Sequence, residues 1–188
     1  YSGGNFNFLF NGGSSEAVIT FNTYLSFRKK YPGQAVLDFK SRLKSAAAVW
    51  DGAAEVQVRS IRGDFNTKVR LRFALNLDSS PKYANKMTDV HPAGSRSAWF
   101  MFFDKNRPTV VRDVNVFIDS SRNLLVHELG HVWGLLDEYD TQWLERKFSP
   151  GHVGTGSPLI KDKVAIMNEG YLIYDKGEFR GRYFKHFG

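Results

Sequence analysis

The run NLLVHELGHVWGLLDEYD, residues 123–140, constrains this chain more than any other stretch. Leu125, Leu129 and Val132 recur at helical spacing and read as packing positions. His127 and His131 lie four residues apart, so on a helix they stand one turn from each other on a different face and can aim their imidazoles at one point. Asp119, Ser120 and Ser121 offer N-caps just upstream. Gly134 can adopt the left-handed conformation that ends a helix and turns the chain back. One segment is thus both a packing helix and a candidate site.

The rest of the chain reads as a sheet with one more helix. AVITFNTYLSF (17–27) is rich in β-branched and aromatic residues and predicts a strand. After the turn YPGQ, Val36, Phe39, Leu43, Ala46 and Trp50 recur at helical spacing until Gly52, which predicts a helix over 34–50. EVQVRSI and KVRLRFALNL alternate at period two around RGDFN and predict two strands and a turn. Residues 79–95 are turn-rich and read as a surface loop, whereas AWFMFF (98–103) and TVVRDVNVFI (109–118) read as strands. SPGHVGTGSP (149–158) is a Gly/Pro/Ser loop long enough to form part of a cleft.

Bulk properties narrow the chemistry. At 188 residues and 42% hydrophobic, the chain fits one domain, 1–188, able to bury its own core. It has no cysteine, which excludes disulfides and thiolate metal sites and leaves His, Asp, Glu or Tyr to hold any transition metal. No stretch reaches the roughly 18 apolar residues of a membrane span. The opening YSGGNFNFLFNGGSS lacks an initiator Met and a leader pattern, as expected of a domain excised or processed from a larger protein. The net charge of +7 favours acidic partners. Its densest clusters, FRKKY (27–31) and YDKGEFRGRYFKHFG (174–188), read as solvated basic faces and not as a nucleic-acid site, because no nucleic-acid-binding motif accompanies them.

HELGH at 127–131 suits a zinc ion bonded to imidazole nitrogen at about 2.0–2.1 Å. Glu128 is rotated about 100° from His127, which keeps it out of the ligand set yet near a metal-bound water, where it can take and return a proton. Catalytic zinc normally has three protein ligands, and the local candidates for the third are Asp137, Glu138 and Asp140. Asp137 is the first ligating side chain after the glycine turn, so the run can be written HExxHxxGxxD.

This pattern resembles the metzincin peptidases, which carry HExxHxxGxxH and of which some relatives place Asp at the last position. VAIMNEG (164–170) resembles their Met-turn, with Met167 as the apolar floor beneath the metal. Two residues further on, where metzincins such as the astacins hold a tyrosine, this chain has Glu169, a competitor of Asp137 and Glu138 for the third ligand place. HELGHVWGLLDEY with IMNEG and a later HF is also similar to metallopeptidase effector domains at the ends of bacterial type VI secretion spike (VgrG) and Rhs proteins. The ending GLxDEY resembles bacterial immunoglobulin-cleaving peptidases. The likeness covers about a third of the chain, residues 120–188 with gaps.

The resemblance implies an α+β zincin (metzincin-like) domain with a twisted mixed sheet, a long helix in the N-terminal half and an active-site helix. It implies a zinc endopeptidase with Zn²⁺ on His127, His131 and Asp137, and Glu128 as the catalytic base. An edge strand, AWFMFF or TVVRDVNVF, would bind an extended peptide or protein substrate. The setting implied is a secreted or delivered effector or toxin, reaching a target cell or the bacterial periplasm, monomeric, with a cognate immunity or inhibitor protein. The alternatives are a zinc amidase or peptidase acting on cell-wall peptides, which the basic charge would suit, and a non-catalytic, zinc-braced binding domain. His91 and His152 read as surface residues, and His186 as a residue that can line the site. Tyr139, Tyr171 and Tyr174 read first as packed aromatics and secondarily as oxyanion donors.

Overall fold

Buried residues alternate with more exposed ones from Ala17 to Leu25, and this period-two pattern makes one long strand the axis of a mixed sheet. The computed structural model describes residues 6–10, 14–52, 54–59, 66–93, 102–104, 107–135, 138, 162–168, 178 and 180–187. Among them the chain forms β1 (Asn7–Phe10), β2 (Glu16–Phe27), α1 (Gly33–Trp50), β3 (Glu55–Arg59) and β4 (Asn66–Asn76). There follow β5 (Lys86–His91), β6 (Phe102–Asp104), β7 (Arg107–Phe117), α2 (Arg122–Val132) and a closing 3₁₀ segment, Gly181–Phe187. The architecture is α+β, with two α-helices and one seven-stranded sheet among the described residues.

The sheet runs β3-β4-β2-β5-β7-β6, with β1 added beside β2. β2 pairs in parallel with β4 and β5, and β5 in parallel with β7, whereas β1, β3 and β6 pair antiparallel with their neighbours. Parallel pairing needs a crossover, and α1 with β3 supplies the one between β2 and β4.

α1 buries Phe39, Leu43, Ala46, Ala47 and Trp50, close to the spacing expected, and Gly52 follows with φ +69°, the left-handed geometry that releases the chain from the helix. The buried faces of α1, α2 and the sheet share one core, whose largest fully buried side chains include Trp50, Trp133 and Phe39. Trp133 stacks at tilted or edge-on angles with Phe6, Phe21 and Phe73, joining the end of α2 to the sheet. Trp50 Nε1 donates to Val126 O at 3.0 Å, so the end of α1 is pinned to the middle of α2.

One segment departs from its reading. The stretch 79–95 is not all loop, because Lys86–His91 is β5, a strand in the interior of the sheet. Only Thr88 and Val90 are buried there, and Met87 is exposed. The inward set is therefore a threonine and a valine, too short and too polar a pattern to stand out among turn residues. The threonine is tolerated because its hydroxyl lies 2.7 Å from that of Thr23, which bonds Lys86 O at 3.0 Å.

Candidate metal centre

Helix α2 is set in register from both ends. Ser121 is its N-cap, with Oγ accepting from Leu124 N at 3.2 Å. At the other end Gly134 has φ +94°, its N–H reaches His131 O at 2.9 Å, and Leu135 N reaches Gly130 O at 3.0 Å. These two bonds form a Schellman motif, the helix stop expected of a glycine here. Between the caps Leu125, Leu129 and Val132 face the core, and His127 and His131 are buried at 1% and 4% exposure.

Each of these buried histidines is held through one ring nitrogen by a backbone carbonyl. His127 Nδ1 lies 2.8 Å from Ile166 O, and His131 Nδ1 lies 2.9 Å from Leu135 O. A carbonyl only accepts, so each Nδ1 carries the hydrogen, and a neutral ring so held has its lone pair on Nε2, the tautomer that metal-ligating histidines use. The rings stand 4.9 Å apart and nearly perpendicular. A ligand atom from each of His127, Glu128 and His131 lies within 4.8 Å of the others, a group able to hold a metal ion.

Glu128 stands nearer this point than helical rotation alone predicts: its Oε2 is 4.0 Å from His131 Nε2. Donor atoms around a tetrahedral ion with bonds of about 2.05 Å sit roughly 3.3 Å apart. The longer separation suits a carboxylate just beyond a ligand position. Glu128 also borders a cavity of about 20 Å³, lined otherwise by Thr88 and apolar residues such as Phe21, Leu43 and Val116.

Met167 is fully buried and packs into the notch left by Gly130, the residue before His131. A Cβ built at Gly130 would fall 2.3 Å from Met167 Sδ, 3.0 Å from its Cε and 3.2 Å from Trp50 Cζ2. The backbone beside this methionine carries the carbonyl of Ile166 that holds His127. Thus Met167 and the residue that anchors one imidazole, Ile166, are adjacent.

No protein-family model, curated protein or solved structure matches the chain.

Asp137, Asp140, Glu169, His152, Tyr139, Tyr171, Tyr174 and the loop 149–158 lie outside the described residues, so the third ligand is not observed. Of the expected competitors only Glu138 can be judged, and it is committed elsewhere. Its carboxylate accepts from Arg182 Nε at 2.5 Å and Nη2 at 2.6 Å, and from Tyr183 Oη at 3.3 Å, while its N–H donates to Met167 O at 2.8 Å. Glu138 is structural and Arg182 is its counter-ion. His91, at the end of β5, has Nε2 2.9 Å from Asn115 Oδ1. His186 lies in the 3₁₀ segment, and its side chain is outside the described residues.

Residues unremarked in the sequence surround the centre. Asn168 is buried, with Nδ2 3.4 Å from Glu138 O, and Tyr183 donates to or shares its hydroxyl with Glu138 while accepting from Met167 N at 3.2 Å. Arg182 also contacts Asp162 Oδ2 at 2.7 Å, and Arg180 grips the same carboxylate through Nε and Nη2 at 2.8 and 2.7 Å. The C-terminal cluster expected to be a solvated basic face is, at these two positions, an ion-pair network. The only sign of it in the sequence is that the arginines stand two apart.

Hydrogen bonds from Arg180, reinforced by Arg182, hold the Asp162 carboxyl well below the usual carboxylate range against an opposing desolvation. Burial pushes the Tyr183 hydroxyl up. A depressed folded-state pKa contributes stability that is present above the unfolded value of about 3.9 and is lost as pH falls through and below it. Asp162→Asn is therefore expected to destabilise the protein most above about pH 5, with the difference from wild type shrinking below about pH 4. Urea unfolding between pH 3 and 7 measures this.

Proposed function

We propose that this chain is a zinc-dependent endopeptidase with a zincin, metzincin-like fold. His127 and His131 hold Zn²⁺ with Asp137 as third ligand, and Glu128 serves as general base and then acid. The observation that carries the reading is the pair of buried imidazoles one helical turn apart, each fixed through Nδ1 to a backbone carbonyl, with a carboxylate 4.0 Å from one Nε2. The donor set fits the metal: zinc takes imidazole nitrogen and carboxylate oxygen, and a chain without cysteine has no thiolate alternative. When bound, zinc supplies a Lewis acid that polarises the scissile carbonyl and brings the pKa of water toward neutrality.

The chain's own groups do the rest. The Ile166 and Leu135 carbonyls hold the imidazoles in one tautomer and one orientation, so little reorganisation is needed. Glu128 takes the proton of the attacking water on a carboxylate oxygen and delivers it to the departing amide nitrogen, leaving Glu128 ionised for the next turnover. Its apolar surroundings, Leu125, Leu129, Val132 and Val116, limit competing solvent. The resemblance to type VI effector peptidases supports a secreted or delivered toxin domain that acts on protein or peptide and is checked by an immunity protein.

Metal removal tests the reading. The purified protein should contain close to one zinc per chain, lose casein hydrolysis on treatment with 1,10-phenanthroline and regain it with added Zn²⁺. Hydrolysis that persists in the chelator sinks the mechanism. Cleavage of peptidoglycan stem peptides but of no protein would move the substrate to the cell wall. Undiminished zinc affinity in Asp137→Ala would remove that residue from the ligand set.

A further inference from the structure

We propose that Arg182 is a positioning residue for the metal centre, and that it acts through Glu138 on the Met-turn and on His127. The inference rests on the metal-site reading and adds to it a part of the chain that no ligand motif contains. In the sequence Glu138 follows the expected third ligand, Asp137, by one residue. Three attachments fix it: its N–H to Met167 O, its C=O to Asn168 Nδ2 at 3.4 Å, and its carboxylate to the Arg182 fork.

A path of hydrogen bonds and adjacent residues leads from this pair towards the histidine. Tyr183, adjacent to Arg182, bonds both Glu138 Oε2 and Met167 N. Met167 follows Ile166, whose carbonyl holds His127 Nδ1. The Ile166 N–H in turn donates to Glu178 O at 2.9 Å, and Glu178 N donates to Val164 O at 2.7 Å, so the entry to the turn is paired with Glu178. The Glu138 side chain is 8% exposed, so its carboxylate oxygens depend on a hydrogen-bonding cation in place of water. Arg182 supplies it in bidentate form, with Asp162 and Arg180 completing an alternating chain that orients the guanidinium. A lysine offers charge without the fork.

The geometry couples three places otherwise separated in sequence: Glu138, the turn at 166–168 and the 3₁₀ segment. Loosening the fork frees the Met-turn, and with it the carbonyl that sets the imidazole.

The test uses the full chain and four variants, Arg182→Met, Arg182→Lys, Glu138→Gln and the double Glu138→Gln/Arg182→Met. In metal-free protein, NMR measures the exchange of the His127 and His131 Nδ1 protons with water. A chelator competition then measures affinity for Zn²⁺ alone. Arg182→Met should speed His127 Nδ1–H exchange severalfold more than that of His131, whose anchor at Leu135 lies on the helix side. It should also weaken zinc binding by about tenfold. Arg182→Lys should recover part of both effects, and the double variant should lose no more than either single one, because the pair acts as a unit. Glu138→Gln preserves side-chain shape, so it reports even if Arg182→Met folds poorly.

Unchanged His127 exchange in Glu138→Gln or Arg182→Lys, with lowered Tm alone, would overturn the proposal and leave Arg182 a structural ion pair. If the wild type binds no zinc, the metal-site reading fails, and the metal-free exchange data still decide whether Arg182 positions His127. If zinc binds and no peptide is cut, only the endopeptidase reading fails.

Discussion

Glu128→Gln is expected to lower kcat/KM for peptide hydrolysis by about 10²- to 10⁴-fold while zinc content and Tm stay close to wild type. The substitution keeps the side chain's shape and removes its capacity to accept a proton. If Glu128 stands beside the ligand set, as its 4.0 Å separation from His131 Nε2 suggests, the ligands are untouched and only proton transfer suffers. The loss should lie mainly in kcat, because the missing step is chemical. Equilibrium dialysis with ⁶⁵Zn and single-turnover cleavage measure the two quantities separately. A large fall in zinc affinity would instead make Glu128 a ligand, which its membership in the 4.8 Å group allows. Full activity in the variant would remove it from the mechanism.

The sequence specified the local elements of the site well and its support poorly. The helix 122–132, its Ser121 cap and its Gly134 stop are local events within about four residues, so spacing and residue type were enough to read them. The two carbonyls that set the imidazole tautomers were not legible, since any residue has a carbonyl and only the fold decides which one arrives at His127. Arg182 was hidden for a related reason: a basic residue in a basic run carries no mark of burial, and its partner Glu138 is 44 positions away. β5 was missed because Thr88 replaces an apolar residue at an inward position and finds Thr23 only through the parallel register of β2 and β5. Apart from the Leu135 carbonyl, four residues from His131, the unread part is in each case a contact distant along the chain, where tertiary context outweighs local propensity.

Gly130→Ala should destabilise the protein, although glycine to alanine inside a helix ordinarily stabilises by about 1 kcal/mol. The added methyl would fall 2.3 Å from Met167 Sδ and 3.2 Å from Trp50 Cζ2, where there is no space for it. Methionine can change rotamer at small cost when it has somewhere to go. Met167 is fully buried, and Trp50 is held by its bond to Val126 O, so the strain passes to the backbone of the Met-turn. Overpacking of this kind costs about 1–3 kcal/mol, enough to cancel the helix gain and lower Tm by several degrees in a chain of this size. Because Ile166 O moves with that turn, zinc affinity should fall as well, by about 10- to 100-fold. Gly130→Ala/Met167→Ala separates the causes: removing the methionine side chain opens a cavity that the new methyl partly fills. The two substitutions should then cost less together than the sum of their separate effects. Calorimetry and a zinc competition assay on the three variants provide the comparison. A Gly130→Ala protein more stable than wild type, with unchanged zinc affinity, would show that Met167 does not press against the helix between the two histidines.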